Sequence, residues 1–422
     1  MTVLADVGRP TVRQVVPDGK RVTVDDVVAR VLSAPTSVPF ADEAIAFCTA
    51  FGERLRRVSR GRPETQALAY WMRAAELRRL RSAFAALGDD RTMLVPRGTV
   101  FHIPPANVDT VFVYSWVLSL LVGNRNIIRL PRRAGDQAAL ITQVLGDLIE
   151  DGSHPGIQAA NAMITYEPDP AVTEALSAAC DLRVIWGGDA TVTEVRRSPL
   201  PPRATELTFP DRFSLAALDA RGYLALARDE RQGLVERFFA DAYAFDQLGC
   251  SSPRLVVWIG GVTESDLAAT DFFTRLARTA QNRGYGIDAA AAIARLGFLH
   301  RAVIDRPVVS TRFHGNHVAV LRLDSCAGIR GEFCGGGVFF ELRLDALSDL
   351  AEVITPRDQT LVQFGFDREE LMALVRDLNG RGIDRIVPVG EALTFDRVWD
   401  GQDLVQAFAR RTTVDLERMH LT

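Results

Sequence analysis

From Arg91 onward the chain alternates short apolar runs with longer amphipathic ones, and this alternation restricts the possible fold more than any other feature. Residues 93–103 read as strand, turn and strand, broken at Pro96-Arg97-Gly98, and residues 108–121 read as a largely apolar helix. Strands are expected at 126–130, 162–166 and 182–186, with helices at 136–150 and 170–180 between them. Strands that alternate with helices build a parallel sheet covered on both faces.

That rhythm predicts a nucleotide-binding domain. Before it, residues 41–57 and 65–87 carry apolar side chains at helical spacing, which makes the first 90 residues a helical entry segment behind a polar, Val-rich lead. Arg54, Arg56, Arg57, Arg60 and Arg62 read as a solvated face of that segment. After it, strands at 213–218, 254–259, 302–309, 318–323 and 338–344, with helices at 264–283, near 289–296 and at 368–378, predict a second α/β domain. The expected boundaries are 1–90, 91–225, 226–385 and a C-terminal segment, 386–422, that returns to the domain interface.

Composition removes several classes of function. A net charge of -4 offers no basic field for nucleic acid, so small-molecule chemistry is the default. Cysteines 48, 180, 250, 326 and 334 are odd in number and form no C-x-x-C pair, which argues against a disulfide framework and against a metal site. The N-terminus lacks an apolar signal core, and residues 111–122 are too short to span a bilayer, so a soluble, cytoplasmic protein is expected.

Two stretches carry candidate chemistry. Cys250 follows a glycine in Asp246-Gln247-Leu248-Gly249-Cys250-Ser251-Ser252-Pro253, between a helical run at 233–245 and a strand at 254–259. A thiol at such a junction can be exposed with backbone N–H groups beside it, although a buried structural cysteine fits the same pattern. Gly187-Gly188, after one strand and before a helix, lets backbone approach a phosphate or ribose, or forms a plain tight turn. Arg125, Arg129, Arg132 and Arg133 are candidates for a 2′-phosphate.

The order of these sites resembles the aldehyde dehydrogenase superfamily and, within it, the LuxC-type acyl-CoA reductases, over roughly Arg91 to the C-terminus. Pro104-Pro105-Ala106-Asn107 is similar to the strand end whose asparagine helps form the oxyanion hole. Gly123-Asn124-Arg125-Asn126-Ile127-Ile128-Arg129-Leu130-Pro131 is similar to G-N-x-x-x-x-K-P, with Arg129 in place of the ribose-binding lysine. Trp186-Gly187-Gly188-Asp189-Ala190-Thr191 resembles the turn that faces the cofactor phosphates. Thr205-Glu206-Leu207-Thr208-Phe209 keeps the Glu-Leu of L-E-L-G-G and lacks both glycines. Gln247-Leu248-Gly249-Cys250 resembles the nucleophile motif, and Glu332-Phe333-Cys334-Gly335 resembles E-I-F-G, whose glutamate binds the nicotinamide ribose. Residues 387–393 and 395–401 resemble the LuxC-type ending.

The resemblance implies an aldehyde-dehydrogenase-like α/β fold, with a Rossmann-type cofactor domain and a second α/β catalytic domain behind an N-terminal helical segment. It implies NADPH-dependent reduction of an acyl thioester to an aldehyde through an acyl-Cys250 intermediate, with NADH also open. Asn107 and the Cys250 N–H would form the oxyanion hole, and Glu206 would move a proton. Pro105, Arg129, Gly187, Gly188, Thr191 and Glu332 would bind cofactor. The acyl donor is expected on coenzyme A or a carrier protein, with an acyl-protein synthetase as a further partner and a homo-oligomer as the assembly. Aldehyde oxidation by an NAD(P)-dependent dehydrogenase, and a cofactor-independent cysteine acyltransferase, stay open as alternatives. His102 and His317 are read as structural or surface histidines.

Overall fold

In the computed structural model, which describes residues 10–105, 108–131 and 135–415, the expected strands assemble into two separate sheets. One belongs to a unit formed by Met1–Pro210 with Phe395–Thr422, the other to Asp211–Thr394.

The first unit contains β1 (Thr11–Val16), β2 (Arg21–Thr23), β3 (Thr92–Pro96), β4 (Thr99–Ile103), β5 (Arg125–Arg129), β6 (Asn161–Thr165), β7 (Leu182–Trp186) and β8 (Thr205–Phe209). Its main sheet runs β2-β1-β6-β5-β4-β7-β8. Strands β4 to β8 are parallel, and the β1–β2 hairpin extends the sheet antiparallel to β6. Every residue of β4 and β7 is buried, as parallel strands with helices on both faces require. The helix Val111–Leu121, buried at all but its first residue, packs on β4 and β5, and Trp116 within it meets Phe47 and Phe51 edge-on at 5.9 and 6.2 Å.

One local expectation differs from the structure here. The helical pattern at 65–87 is two helices, Pro63–Trp71 and Ala74–Ala85, because Arg73 takes an extended ψ of 150° while Trp71 and Met72 turn into the core. The strand, turn and strand expected at 93–103 are present as β3 and β4, but β3 stands outside the parallel sheet and pairs with the strand Ala409–Thr413.

The second unit contains β9 (Phe213–Asp219), β10 (Pro253–Ile259), β11 (Val308–His314), β12 (Val318–Leu323), β13 (Val338–Leu344), β14 (Asp358–Phe364) and β15 (Arg385–Pro388). The order is β11-β12-β13-β10-β9-β14-β15, parallel except for the antiparallel edge strand β11. The strand expected at 302–309 is mostly helix. The helix Ala289–Asp305 continues through Phe298, Leu299 and Ala302, which stay on its buried face, and the chain becomes extended only near Pro307. No helix among the described residues is long and apolar enough to cross a membrane.

Candidate active site

Cys250 sits at the N-terminal end of β10, on a loop whose backbone is strained and tightly held. The helix Arg228–Tyr243 gives way to a single 3-10 turn in which Phe245, Asp246 and Gln247 have φ of 52°, 53° and 65°. Left-handed backbone costs a non-glycine residue roughly 1–2 kcal/mol, so three in succession need external support. The Gln247 side chain, 1% exposed, provides it. Its Nε2 donates to the carbonyls of Pro253 at 3.1 Å and Val338 at 2.9 Å, and its Oε1 accepts the Gly337 N–H at 3.1 Å. The amide thus ties both ends of the cysteine loop to the segment entering β13.

That segment is the glycine run 335–337, and two of its members have no room for a side chain. A Cβ on Gly335 would stand 2.1 Å from the Asp246 carbonyl oxygen, and one on Gly337 would stand 2.0 Å from that of His317; both residues have φ near 70°. The close approach lets the Gly336 N–H donate to the Asp246 carbonyl at 3.0 Å. From the other side, Ser214 Oγ donates to the Cys250 carbonyl at 2.6 Å and accepts the Thr360 N–H at 3.2 Å. Cys250 is half-buried at this junction.

The remaining thiols are in different surroundings. Burial pushes Cys180 up to about 12 and Cys326 and Cys334 up to about 11, and it raises Cys48 further still.

Glu332 lies on the same end of this sheet, just before the glycine run. Its carboxylate is 77% exposed and faces Arg301 at 3.5 Å. The loop beneath it is anchored by Arg330, whose Nε meets both oxygens of the fully buried Asp358 at 2.9 Å. A further clamp comes from Asp241 on the helix leading to the cysteine loop. Its carboxylate accepts the N–H groups of Gly390 at 2.6 Å and Ala392 at 2.9 Å, fixing residues 388–392. Burial raises the Asp241 carboxyl to about 7 against the pull of those two N–H groups.

In the first unit, the parallel strands across the sheet come third, second, first, fourth and fifth in chain order, so the order reverses between β4 and β7. Dinucleotides bind at such a reversal, beyond the C-terminal strand ends. Pro104 and Pro105 follow β4, Arg129 ends β5, and Gly187-Gly188 follow β7, so these residues line one edge of the sheet. Arg129 lies over the Tyr166 ring at 4.8 Å, and Trp186 stacks on Phe209 with centroids 3.8 Å apart. Thr191 folds back toward Gly187. Beside Tyr166, a cleft of about 600 Å³ is lined by Arg13, Arg21, Thr165 and Glu167. Cations, small residues and a flat aromatic edge fit a nicotinamide dinucleotide. The helix after Gly188 has only seven residues, so the fit rests on the strand ends and not on a helix dipole.

Other residues singled out in the sequence lie elsewhere. Arg125 opens β5, at the opposite end from Arg129, and donates to the Leu32 carbonyl at 2.7 Å; it is not part of the 2′-phosphate cluster expected of it. Asn107, Arg132 and Arg133 fall outside the described residues. Glu206 is the second residue of β8, toward the end of the sheet opposite Gly187. Its Oε2 accepts from Arg183 Nε at 2.8 Å, and its Oε1 accepts from Arg196 Nε at 2.7 Å. His102 is buried and held neutral, its pKa lowered to about 4 by desolvation. The ring bridges Ser115 Oγ at 2.9 Å and Asn126 Oδ1 at 3.0 Å. His317 uses its backbone carbonyl to accept from Tyr243 Oη at 2.9 Å.

Gln247 and Asp241, which hold the cysteine loop and residues 388–392, were not singled out from sequence. Gln247 stood inside the quoted nucleophile motif, and the triple glycine was visible, but only the fold reveals that they bind each other. Among the described residues no cluster of histidine, cysteine, aspartate and glutamate could hold a metal ion.

A family model described as acyl-CoA reductase (LuxC) matches residues 81–286, a stretch that includes Asn107, Glu206 and Cys250 and stops short of Glu332. No curated protein matches the sequence. Among solved structures, the chain is similar to methylmalonate-semialdehyde dehydrogenase from Oceanimonas doudoroffii, with a TM-score of 0.69 and 14% identity over 98% of this chain and 96% of that one. It is similar to Mycobacterium tuberculosis aldehyde dehydrogenase complexed with NAD+, with a TM-score of 0.64 and 13% identity over 97% and 95%. Thermus 1-pyrroline-5-carboxylate dehydrogenase with bound NAD gives 0.67 and 15% over 93% and 85%. At these identities the structural likeness shows the fold alone. Residues 81–286, just under half of the chain, thus match the model of the LuxC acyl-CoA reductases, and the chain has the aldehyde dehydrogenase fold.

Proposed function

We propose that the protein reduces an acyl thioester to an aldehyde with NADPH, through a thioester on Cys250. The observation that carries this reading is the strained loop, clamped by Gln247, that presents Cys250 at a strand end while burial keeps the other four thiols protonated.

The Cys250 thiolate adds to the acyl carbonyl, the bond from carbon to the donor sulfur breaks, and the donor thiol leaves with a proton from solvent. A nicotinamide held at the strand ends would supply the hydride that the acyl carbon takes up. Collapse of the resulting tetrahedral alkoxide breaks the carbon–Sγ bond, releasing aldehyde and restoring the thiolate. Both additions place negative charge on one oxygen, for which the Cys250 N–H and Asn107 Nδ2 are the proposed donors. Losing one such donor typically costs about 2.7–4 kcal/mol in the transition state. Pro105, Arg129, Gly187, Gly188 and Thr191 along the strand ends, and Glu332 before the glycine run, are the proposed cofactor contacts. Two structural neighbours are described with bound NAD, which supports a nicotinamide; the preference for NADPH rests on Arg129, Arg13 and Arg21 near one cleft.

Glu206 has no part in this scheme. Both its oxygens accept from arginines, and a carboxylate paired in this way is a poor base for activating water, which supports reduction over oxidation of aldehyde to acid. Coenzyme A and a carrier-protein phosphopantetheine present the same thioester, and either donor is compatible with the scheme. A synthetase partner and a homo-oligomer remain part of the proposal on the family resemblance.

The test is intact mass after exposure to acyl-CoA, then addition of NADPH. An acyl adduct is expected on wild type, absent in Cys250→Ala, and discharged as aldehyde by NADPH. Undiminished aldehyde formation by Cys250→Ala would overturn the nucleophile assignment. An adduct that NADPH leaves intact would favour a cysteine acyltransferase, and equal or better turnover with NADH would remove the NADPH preference.

A further inference from the structure

Arg254 is the second residue of β10, four positions after Cys250. It lies at the end of the sheet where the cysteine loop and the segment 332–337 meet. Its guanidinium rests 4.9 Å from the centroid of Phe333, the neighbour of Glu332. Phe333 is in turn held edge-on by Phe298 at 5.6 Å. Arg254 Nε is buried and makes no hydrogen bond among the described residues. Arginine stays charged when buried, and a buried cation with an unfilled donor needs negative charge close by. A ring face supplies part of that compensation.

We propose that Arg254, seated on Phe333, is the electrostatic partner that favours the thiolate of Cys250, and so a positioning residue for the nucleophile that the preceding section assigns. Burial lowers the Arg254 pKa, and the negative charges that would offset this are Cys250, four residues back along the same strand end, and Asp211 from the segment before β9. Of the other cations beside segment 332–337, Arg306 donates to the carbonyls of Gly328 and Glu332, and Arg295 donates to that of Asn316. Asp246 on the loop accepts the Tyr285 hydroxyl at 3.1 Å, and Glu332 is drawn toward Arg301 at 3.5 Å. An adjacent arginine lowers a thiol's pKa, and it does so more strongly in a partly dry site than in water.

Cys250 ionisation is read from the pH dependence of its alkylation by iodoacetamide, followed by peptide mass, and from the ultraviolet thiolate absorbance of wild type minus Cys250→Ser. The wild-type midpoint is expected at least about one unit below the ordinary thiol value of about 8.5. Arg254→Gln should raise it by about one unit, slowing alkylation at neutral pH about tenfold, and Arg254→Lys should restore most of the difference. Where Arg254→Gln fails to fold, Phe333→Leu carries the test, because freeing the guanidinium from its seat should shift the midpoint upward. A wild-type midpoint at or above about 8.5, or a variant profile that superimposes on wild type, overturns the assignment. The two readings fail separately. Loss of thioester reduction with a low Cys250 midpoint would remove the proposed function alone, whereas an ordinary midpoint in a protein that still forms acyl-Cys250 would remove the role of Arg254 alone.

Discussion

Replacing Gln247 by leucine is the sharpest test of how the nucleophile loop is held. The substitution keeps the size of the side chain and deletes three buried hydrogen bonds at once: one from the Gly337 N–H and two to the carbonyls of Pro253 and Val338. Leaving a buried N–H unsatisfied costs about 1–3 kcal/mol, and each bond to a carbonyl contributes about 0.5–1.5 kcal/mol. A central sum is about 4 kcal/mol, which for a unit of this size lowers the melting temperature by about 8–16 °C. The strain at Phe245, Asp246 and Gln247 then loses its restraint, and the loop relaxes. Displacing a reacting group by an ångström is enough to slow reaction about 100-fold, so acylation of Cys250 by acyl-CoA should fall by that order. Gln247→Glu gives an independent control. It keeps an acceptor for the Gly337 N–H but directs its other oxygen at two carbonyls, so the folded state holds it protonated with a raised pKa. Its stability is therefore greatest below the ordinary glutamate value of about 4.3 and is lost as pH rises. A Gln247→Leu protein that melts within about 3 °C of wild type and acylates at the wild-type rate would refute the clamp.

Two further outcomes follow from buried charge. Asp241 titrates near 7 when folded and near 3.9 when unfolded, so the folded state holds the extra proton; its contribution to stability is full below about pH 4 and is lost as pH rises through 7. Thermal melts across that range should show a decline in wild type that Asp241→Asn flattens, and parallel curves for the two proteins would discount the titration. Glu206→Gln strips the anion from Arg183, whose side chain is 3% exposed, and should destabilise by about 3–5 kcal/mol while leaving the acylation rate of Cys250 within about twofold. A folded Glu206→Gln protein that no longer acylates would restore Glu206 as the proton carrier.

Much of the fold was legible because it is written locally. The strands Leu182–Trp186, Val318–Leu323 and Val338–Leu344 and the helices Asp136–Glu150 and Arg368–Leu378 coincide with their sequence patterns, since burial on both strand faces, or on one helix face, dictates residue type position by position. The break at Arg73 and the helix reaching Asp305 were not legible. No glycine or proline marks the first, and in the second the helix runs on past Gly297, just beyond its expected end; each depends on which face meets the core.

The same division runs through the site. The order of the motifs singled out Cys250, Arg129, Gly187 and Glu332, because each needs a particular residue type at a particular turn. Glu206 kept its motif position, yet only the pairing of β7 with β8 sets it opposite Arg183 and fills its oxygens. Arg125 and Arg129 are neighbours in sequence but occupy opposite ends of one strand, about 13 Å apart at the usual rise per residue. By itself, then, the sequence determined the two α/β sheets and singled out Cys250 as the candidate thiol, both from short-range patterning. Tertiary structure alone decided what surrounds that thiol. Gln247, the glycine run and the Arg254–Phe333 pair come from segments about 80 to 90 residues apart, and hydrogen bonds and charge act through space without regard to that separation.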